Sequence, residues 1–205
     1  MVNNQIEVKL DEVLKKLAEI DEQREEVIKT CREVVRLARQ LIVAVHRQVK
    51  DEEALEKLRA AAEKLKNTRK KMPSIYYTGC APSSLVEYVE AECFYAYVFE
   101  DRLPAMEDLG VDPSIYLLGV ADFTGEIKRH LYELIKEERF DDAEKALKTM
   151  EKIYDKLRTA AVPNALAQGL RRKVDVMRTV LETARRDLLL LRRLGNLEKA
   201  FEAAP

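Results

Sequence analysis

The 205-residue chain has no tryptophan, only six glycines and six prolines, two histidines, three cysteines, and no excess of either charge. Each shortage removes a class of protein. With so few turn formers, no alternating β-branched run and no Asn-Gly pair, a sheet built from hairpins is excluded. The two histidines, His46 and His130, follow Val43 and Ile127 at three residues' distance, so the Glu-x-x-His pairs of a ferritin-like di-metal bundle are missing. Glycine-rich nucleotide loops and the G-x-S-x-G of hydrolases are absent as well. Cys31, Cys80 and Cys93 contain no C-x-x-C pair and read as reduced thiols of a cytoplasmic protein. The start MVNNQIEVKL lacks the basic and apolar regions of a signal peptide, and the leucine run 188–191 is far too short to cross a bilayer. With 36 basic and 37 acidic residues, the formal charge of −1 shows none of the basic excess usual in nucleic-acid binders. A soluble protein without a membrane partner is expected, and any phosphate-binding surface must be a local patch.

What is abundant points to helices. Charged residues make up 36% of the chain and hydrophobic ones 47%, with Leu, Ala, Glu, Lys and Arg dominant, a composition that also suits a heat-adapted source. From Gln5 to Lys50 no Pro or Gly intervenes, and apolar residues recur in steps of three and four, from Leu10, Val13 and Leu17 to Leu41 and Val45. That spacing predicts one long amphipathic helix, or two in tandem. A second helix follows over 51–70, and a break over 72–84. A greasy helix over 85–99 is followed by helices over 113–138, 141–158 and 166–193, which Gly195-Asn196 ends. The expectation is an all-α bundle of about seven helices in one domain, 1–205.

Two of the most apolar segments carry acids. Glu87 and Glu90 are three apart in LVEYVEAECFYAYVF, and Asp122 and Glu126 are four apart in the segment after Ile115, so each pair shares a helix face. Glu92 points roughly the other way. Brought together, four carboxylates repel unless protonated or bound to a cation, and hard oxygen donors suit Mg²⁺ or Mn²⁺. A plainer reading stands beside this one. Ser84 and Glu87 spell a capping box, Glu90 gains from the helix dipole, and Asp122 and Glu126 pair with Lys128, Arg129 or distant arginines. Asp141 with Glu144 resembles another capping box. On the basic side, Lys29, Arg32, Arg36 and Arg39 form a stripe on the first helix, Arg69 and Lys70 end the second, and Arg171, Arg172 and Lys173 cluster later. Such stripes can follow a phosphate backbone, or can be solvated faces laced with ion pairs, since Glu25, Glu26 and Glu33 lie among them.

EYVEA at 87–91, LGVADFTGE at 118–126 and the segment from Asp21 to Arg47 resemble the diagnostic blocks of the translin/TRAX family, a likeness that extends over about residues 15–195. The resemblance implies a seven-helix all-α fold that assembles into a hollow, roughly octameric shell around RNA or single-stranded DNA. Within the family, translin subunits bind nucleic acid and lack the glutamates, whereas TRAX subunits keep the acids and are Mg²⁺-dependent endoribonucleases. Glu87, Glu90 and Asp122 are kept here, so the chain looks TRAX-like, with these three as catalytic residues and metal ligands. Glu126 matches an acid that non-catalytic members also retain. The chain lacks the long basic N-terminal extension and the long insertion of eukaryotic TRAX, and is compact like archaeal members, which implies a homo-oligomer. The resemblance therefore implies a Mg²⁺- or Mn²⁺-dependent endoribonuclease, with Glu126 as the weakest ligand candidate and a non-catalytic translin-like binding protein as the alternative; the basic stripe Lys29, Arg32, Arg36 and Arg39, with Arg69 and Lys70, is expected to hold the phosphate backbone.

Overall fold

The computed structural model describes residues 2–202, with side chains described over 6–197; Met1 and 203–205, the ends of the expected domain, lie outside the described residues. Eight helices and no strands are present among the described residues: α1 (Val2–His46), α2 (Glu52–Lys71), α3 (Pro73–Thr78), α4 (Ala81–Glu100), α5 (Met106–Leu109), α6 (Pro113–Lys136), α7 (Phe140–Thr159) and α8 (Leu170–Glu202). The count exceeds the expected seven because the break after α2 holds the six-residue α3 and the turn after α4 holds the four-residue α5.

The sequence dictates most boundaries. Asp51 accepts a hydrogen bond from the Ala54 amide at 2.9 Å and caps α2. Pro73 forces Met72 out of helical geometry and separates α2 from α3. Asp101, in the left-handed region at φ 49°, ends α4. Three expected boundaries are corrected. Pro82 fits the first turn of α4, so the helix starts at Ala81 rather than after Ser84, and Ser84 lies inside it with no capping box to Glu87. At α7 no side chain caps the start; Asp141 and Glu144 instead accept hydrogen bonds from Arg192 of α8 at 3.1 and 2.9 Å. Gly195 does not stop α8, which runs on to Glu202 with the Phe140 ring packed beside the glycine.

α4 is the central helix. It packs against α1 on one side and α6 on the other, and α6 in turn packs against α7 and α8. Cys31 meets Cys80 and His46 stacks on Phe94 at 4.6 Å between ring centroids, so α1 and α4 run parallel. α4 and α6 also run parallel, because residues 101–112 carry the chain back to the far end of the bundle, where the Lys66 ammonium donates to the Leu109 carbonyl at 2.9 Å. Gly119 sets their separation. A Cβ there would lie 2.6 Å from Val89 Cβ, so only glycine lets the two backbones come this close.

The cysteine expectation is overturned. Cys31 and Cys80 form a disulfide with a Cα–Cα separation of 6.2 Å, which pins α1 to the start of α4, and only Cys93 is free and buried. The apolar stripe of α1 is divided in two. Val27, Cys31, Val34, Ala38, Leu41 and Val45 are buried, whereas Ile6, Leu10, Val13, Leu17 and Ile20 are about half exposed. Leu190, Leu194 and Leu197 of α8 are similarly uncovered.

Candidate metal and nucleic-acid site

The close approach at Gly119 brings the acidic faces of α4 and α6 together. Glu90 registers this most strongly. Its carboxyl is pushed up to about 8, first by burial and then by the charges of Asp122, Glu87 and Glu126. The other three acids singled out in the sequence thus all act on Glu90, from its own helix and from α6. A capping role for Glu87 does not account for this, since its helix begins a full turn and a half earlier.

Two internal bases moderate the repulsion. Lys173, in the first turn of α8, donates to both carboxylate oxygens of Asp122 and also offsets the negative charge around Glu90. His46, the last residue of α1, places Nε2 2.5 Å from Oε2 of Glu126, so Nε2 carries the proton and donates to the carboxylate. The His46 side chain is 5% exposed, and its Nδ1, like that of His130, is buried without a hydrogen-bond partner among the described residues. Burial and the neighbouring His46 hold the His130 imidazole below its ordinary range. Neither Lys128 nor Arg129 takes the roles their proximity in sequence suggested.

Among the described residues, no three His, Cys, Asp or Glu side chains are gathered closely enough to hold a metal ion. The reason is visible in the pairing. Asp122 is turned to Lys173 and Glu126 to His46, leaving Glu87 and Glu90 as the acids without such a base. The donor chemistry nonetheless fits a hard divalent cation: clustered carboxylates, one of them driven toward protonation by burial and by the charges of the others, relax on meeting a cation. Beside Asp122 opens a cleft of about 420 Å³, with Thr124 and Gly125 on one wall and Arg172, Val176 and Met177 on the other.

Glu92, set aside in the sequence as facing away, does face away but is not idle. It is 1% exposed and accepts from Arg59 Nε at 2.7 Å and Nη2 at 2.8 Å, a bidentate pair that joins α2 to α4.

The basic residues divide into two groups. Arg32, Arg36 and Arg39 are exposed, form no carboxylate ion pair among the described residues, and line a shallow groove of about 640 Å³ between α1 and the start of α4. Arg36 donates to Gln40 at 3.0 Å. The Cys31–Cys80 disulfide and Ser83 lie in the same groove. Lys29 is paired with Glu26 at 2.7 Å, and Arg69 is committed to Asp112 at 2.6 Å while lying over the Tyr77 ring. Lys70 is exposed and has no ion pair among the described residues.

An all-helical bundle with an acidic cluster across α4 and α6 and a row of exposed arginines along α1 that form no carboxylate ion pair among the described residues defines a narrow class. Residues 22–184 match the model of the Translin family, and the chain belongs to that family. An uncharacterized protein of Methanocaldococcus jannaschii is 30% identical over 146 residues, 71% of this chain and 65% of that protein, so the match spans just under two thirds of the relative's length. Among solved structures, AfC3PO superposes with a TM-score of 0.82 at 32% identity, covering 91% of this chain and 98% of that one. A complex of AfC3PO with duplex RNA gives 0.81 at 32% identity, covering 91% and 97%. Apo-NeC3PO gives 0.81 at 28% identity, covering 89% and 96%. No described helix is long and apolar enough to cross a membrane.

Proposed function

We propose that this chain is a cytoplasmic, metal-dependent endoribonuclease that works as a homo-oligomer. The observation that carries the reading is the convergence of Glu87, Glu90, Asp122 and Glu126 across α4 and α6, with the Glu90 carboxyl pushed up to about 8 first by burial and then by the charges of the other three. A structural acid cluster of this kind costs stability, and such costs concentrate at functional sites. Glu87, Glu90 and Asp122, with Glu126 at the edge, would hold Mg²⁺ or Mn²⁺. When bound, the ion supplies Lewis-acid stabilisation of the phosphodiester and acidifies water. The chain's own residues do the rest. Glu87 and Glu90 hold their position because α4 is buried on both sides, and the exposed Arg32, Arg36 and Arg39 bind the phosphate backbone along α1. The likeness to a protein solved with duplex RNA supports RNA as the polymer, with single-stranded DNA as a further ligand.

Assembly is supported by the uncovered apolar stripes on α1 and α8, which a single copy leaves in water. A hollow shell of about eight copies would bury them and turn the arginine groove toward enclosed RNA. A second reading, a shell that binds RNA without cutting it, is favoured by the pairing of Asp122 with Lys173 and of Glu126 with His46, which satisfies both acids without metal.

The deciding experiment is cleavage of labelled single-stranded and duplex RNA with Mg²⁺, with EDTA, and by Glu90→Gln. Cleavage that survives EDTA or the substitution removes this assignment. Salt-sensitive binding without turnover establishes the second reading.

A further inference from the structure

We propose that Lys173 is a resident counter-cation of the acidic cluster, displaced from Asp122 when a divalent ion enters, and thereby the residue that sets this chain's affinity for metal. The inference rests on the reading of Glu87, Glu90 and Asp122 as metal ligands. It goes further by assigning a role to a side chain 51 residues from Asp122 in sequence.

The geometry is specific. The ammonium of Lys173 contacts both Oδ1 and Oδ2 of Asp122, so it sits between the two oxygens that a chelated cation would share. A carboxylate engaged through both oxygens cannot give the same lone pairs to a metal, and an ammonium and a divalent ion at one place repel. One must leave, and Lys173 is equipped to do so. Its side chain is 33% exposed, ends in a flexible four-carbon stem, and borders the cleft formed by Thr124, Gly125 and Met177. Nothing fills the space where a Cβ on Gly125 would project. A freed ammonium therefore moves into the solvent-open space beside Gly125. His46 does not have this freedom, because its ring is enclosed at 5% exposure and stacked on Phe94.

The arrangement has a signed consequence. A residue that merely braced the site would weaken metal binding when lost, whereas a competitor for Asp122 would strengthen it. At a water-like dielectric, the repulsion between an ammonium and a divalent ion about 4 Å away corresponds to about 30-fold in affinity, and a tightening of about that order is expected for Lys173→Met.

The test is calorimetric titration of Mn²⁺ into the full chain without RNA, using wild type, Lys173→Met, Lys173→Gln, Lys173→Arg and Glu90→Gln, each first shown helical by circular dichroism. Lys173→Met and Lys173→Gln are expected to bind Mn²⁺ about 30-fold more tightly. Lys173→Arg, which keeps a cation against Asp122, is expected to stay near wild type, and Glu90→Gln to lose most affinity. If wild type binds Mn²⁺ and the neutral variants bind it equally or more weakly, the role of Lys173 is overturned while the metal site stands. If neither wild type nor the neutral variants bind Mn²⁺, the metal site itself fails and this inference with it.

Discussion

Replacing Glu90 with glutamine should make the metal-free protein more stable, and the size of the gain follows from the site. The Glu90 carboxyl sits at about 8 in the fold, against an ordinary value of 4.5. A carboxyl raised on folding contributes stability fully below its unfolded value, and that contribution is lost as pH rises through the folded value. The window therefore runs from about pH 4.5 to about pH 8. A gap of about 3.5 pH units at 1.36 kcal/mol each sets a ceiling of about 5 kcal/mol. Glu90 is only partly buried, and Lys173 offsets some of the repulsion, so about 2 kcal/mol is the working expectation. In a chain of this length that corresponds to a melting temperature higher by about 4–8 °C in Glu90→Gln at pH 8.5 with EDTA. The assay is thermal unfolding by circular dichroism from pH 5 to 9. Wild type should lose stability steadily from pH 5 to about pH 8 and level off above it, and the variant should be flatter. Added Mg²⁺ should restore the wild type and leave the variant unmoved. A variant melting at or below wild type at pH 8.5 without metal would refute the idea that clustered acids strain this site.

Four further outcomes test the structure around the site. Gly119→Ala forces a methyl group onto Val89 and should cost about 1–3 kcal/mol by overpacking, with part of the loss recovered in the double variant Gly119→Ala/Val89→Ala, read by denaturant midpoints. Arg59→Met leaves Glu92 charged and buried and should cost about 3–5 kcal/mol, whereas Arg59→Met/Glu92→Met should recover most of it in a double-mutant cycle. Reducing the Cys31–Cys80 bond, which spans 49 residues of sequence, should destabilise by up to about 4 kcal/mol, and mass spectrometry of protein alkylated in denaturant without reductant should find one labelled thiol per chain, the buried Cys93. Neutralising Arg32, Arg36 and Arg39 together should weaken RNA binding and lower the slope of log affinity against log salt by about 2–3, while leaving Mn²⁺ affinity unchanged.

The helices were legible because their signals are local. Steps of three and four, Pro113 after Asp112 and the Pro/Gly-rich break after Lys71 all act within one turn. The acid pairs were legible for the same reason, since Glu87 with Glu90 and Asp122 with Glu126 share faces by spacing alone. Their partners were not. Lys173, His46, Arg59 and the Cys31–Cys80 bond are joined across 51, 80, 33 and 49 residues, and nothing in local spacing encodes which distant side chain arrives. Misplaced boundaries share a second cause. Ser84 and Asp141 are good caps in isolation, but Pro82 extends α4 upstream and Arg192 claims Asp141, so tertiary packing outweighs a local preference worth about 1 kcal/mol. Glycine at 119 was visible as a letter; its purpose, letting two backbones touch, depended on knowing what lay opposite.

Because α1 is one helix from Val2 to His46, its bare stripe and its buried stripe are locked in phase. Each residue turns the helix by about 100° and advances it by about 1.5 Å. The face that Leu10 and Leu17 show to the surroundings is therefore dictated by how Val34 and Leu41 sit in the core. Inserting one residue near Arg24 would leave the core untouched and rotate the outer stripe by about a quarter turn, aiming it at a different neighbour. Inserting seven would restore the aim and lengthen the reach by about 10 Å. In the proposed assembly the helix would thus work as a rigid shaft, converting the packing of one subunit into a bearing for the next.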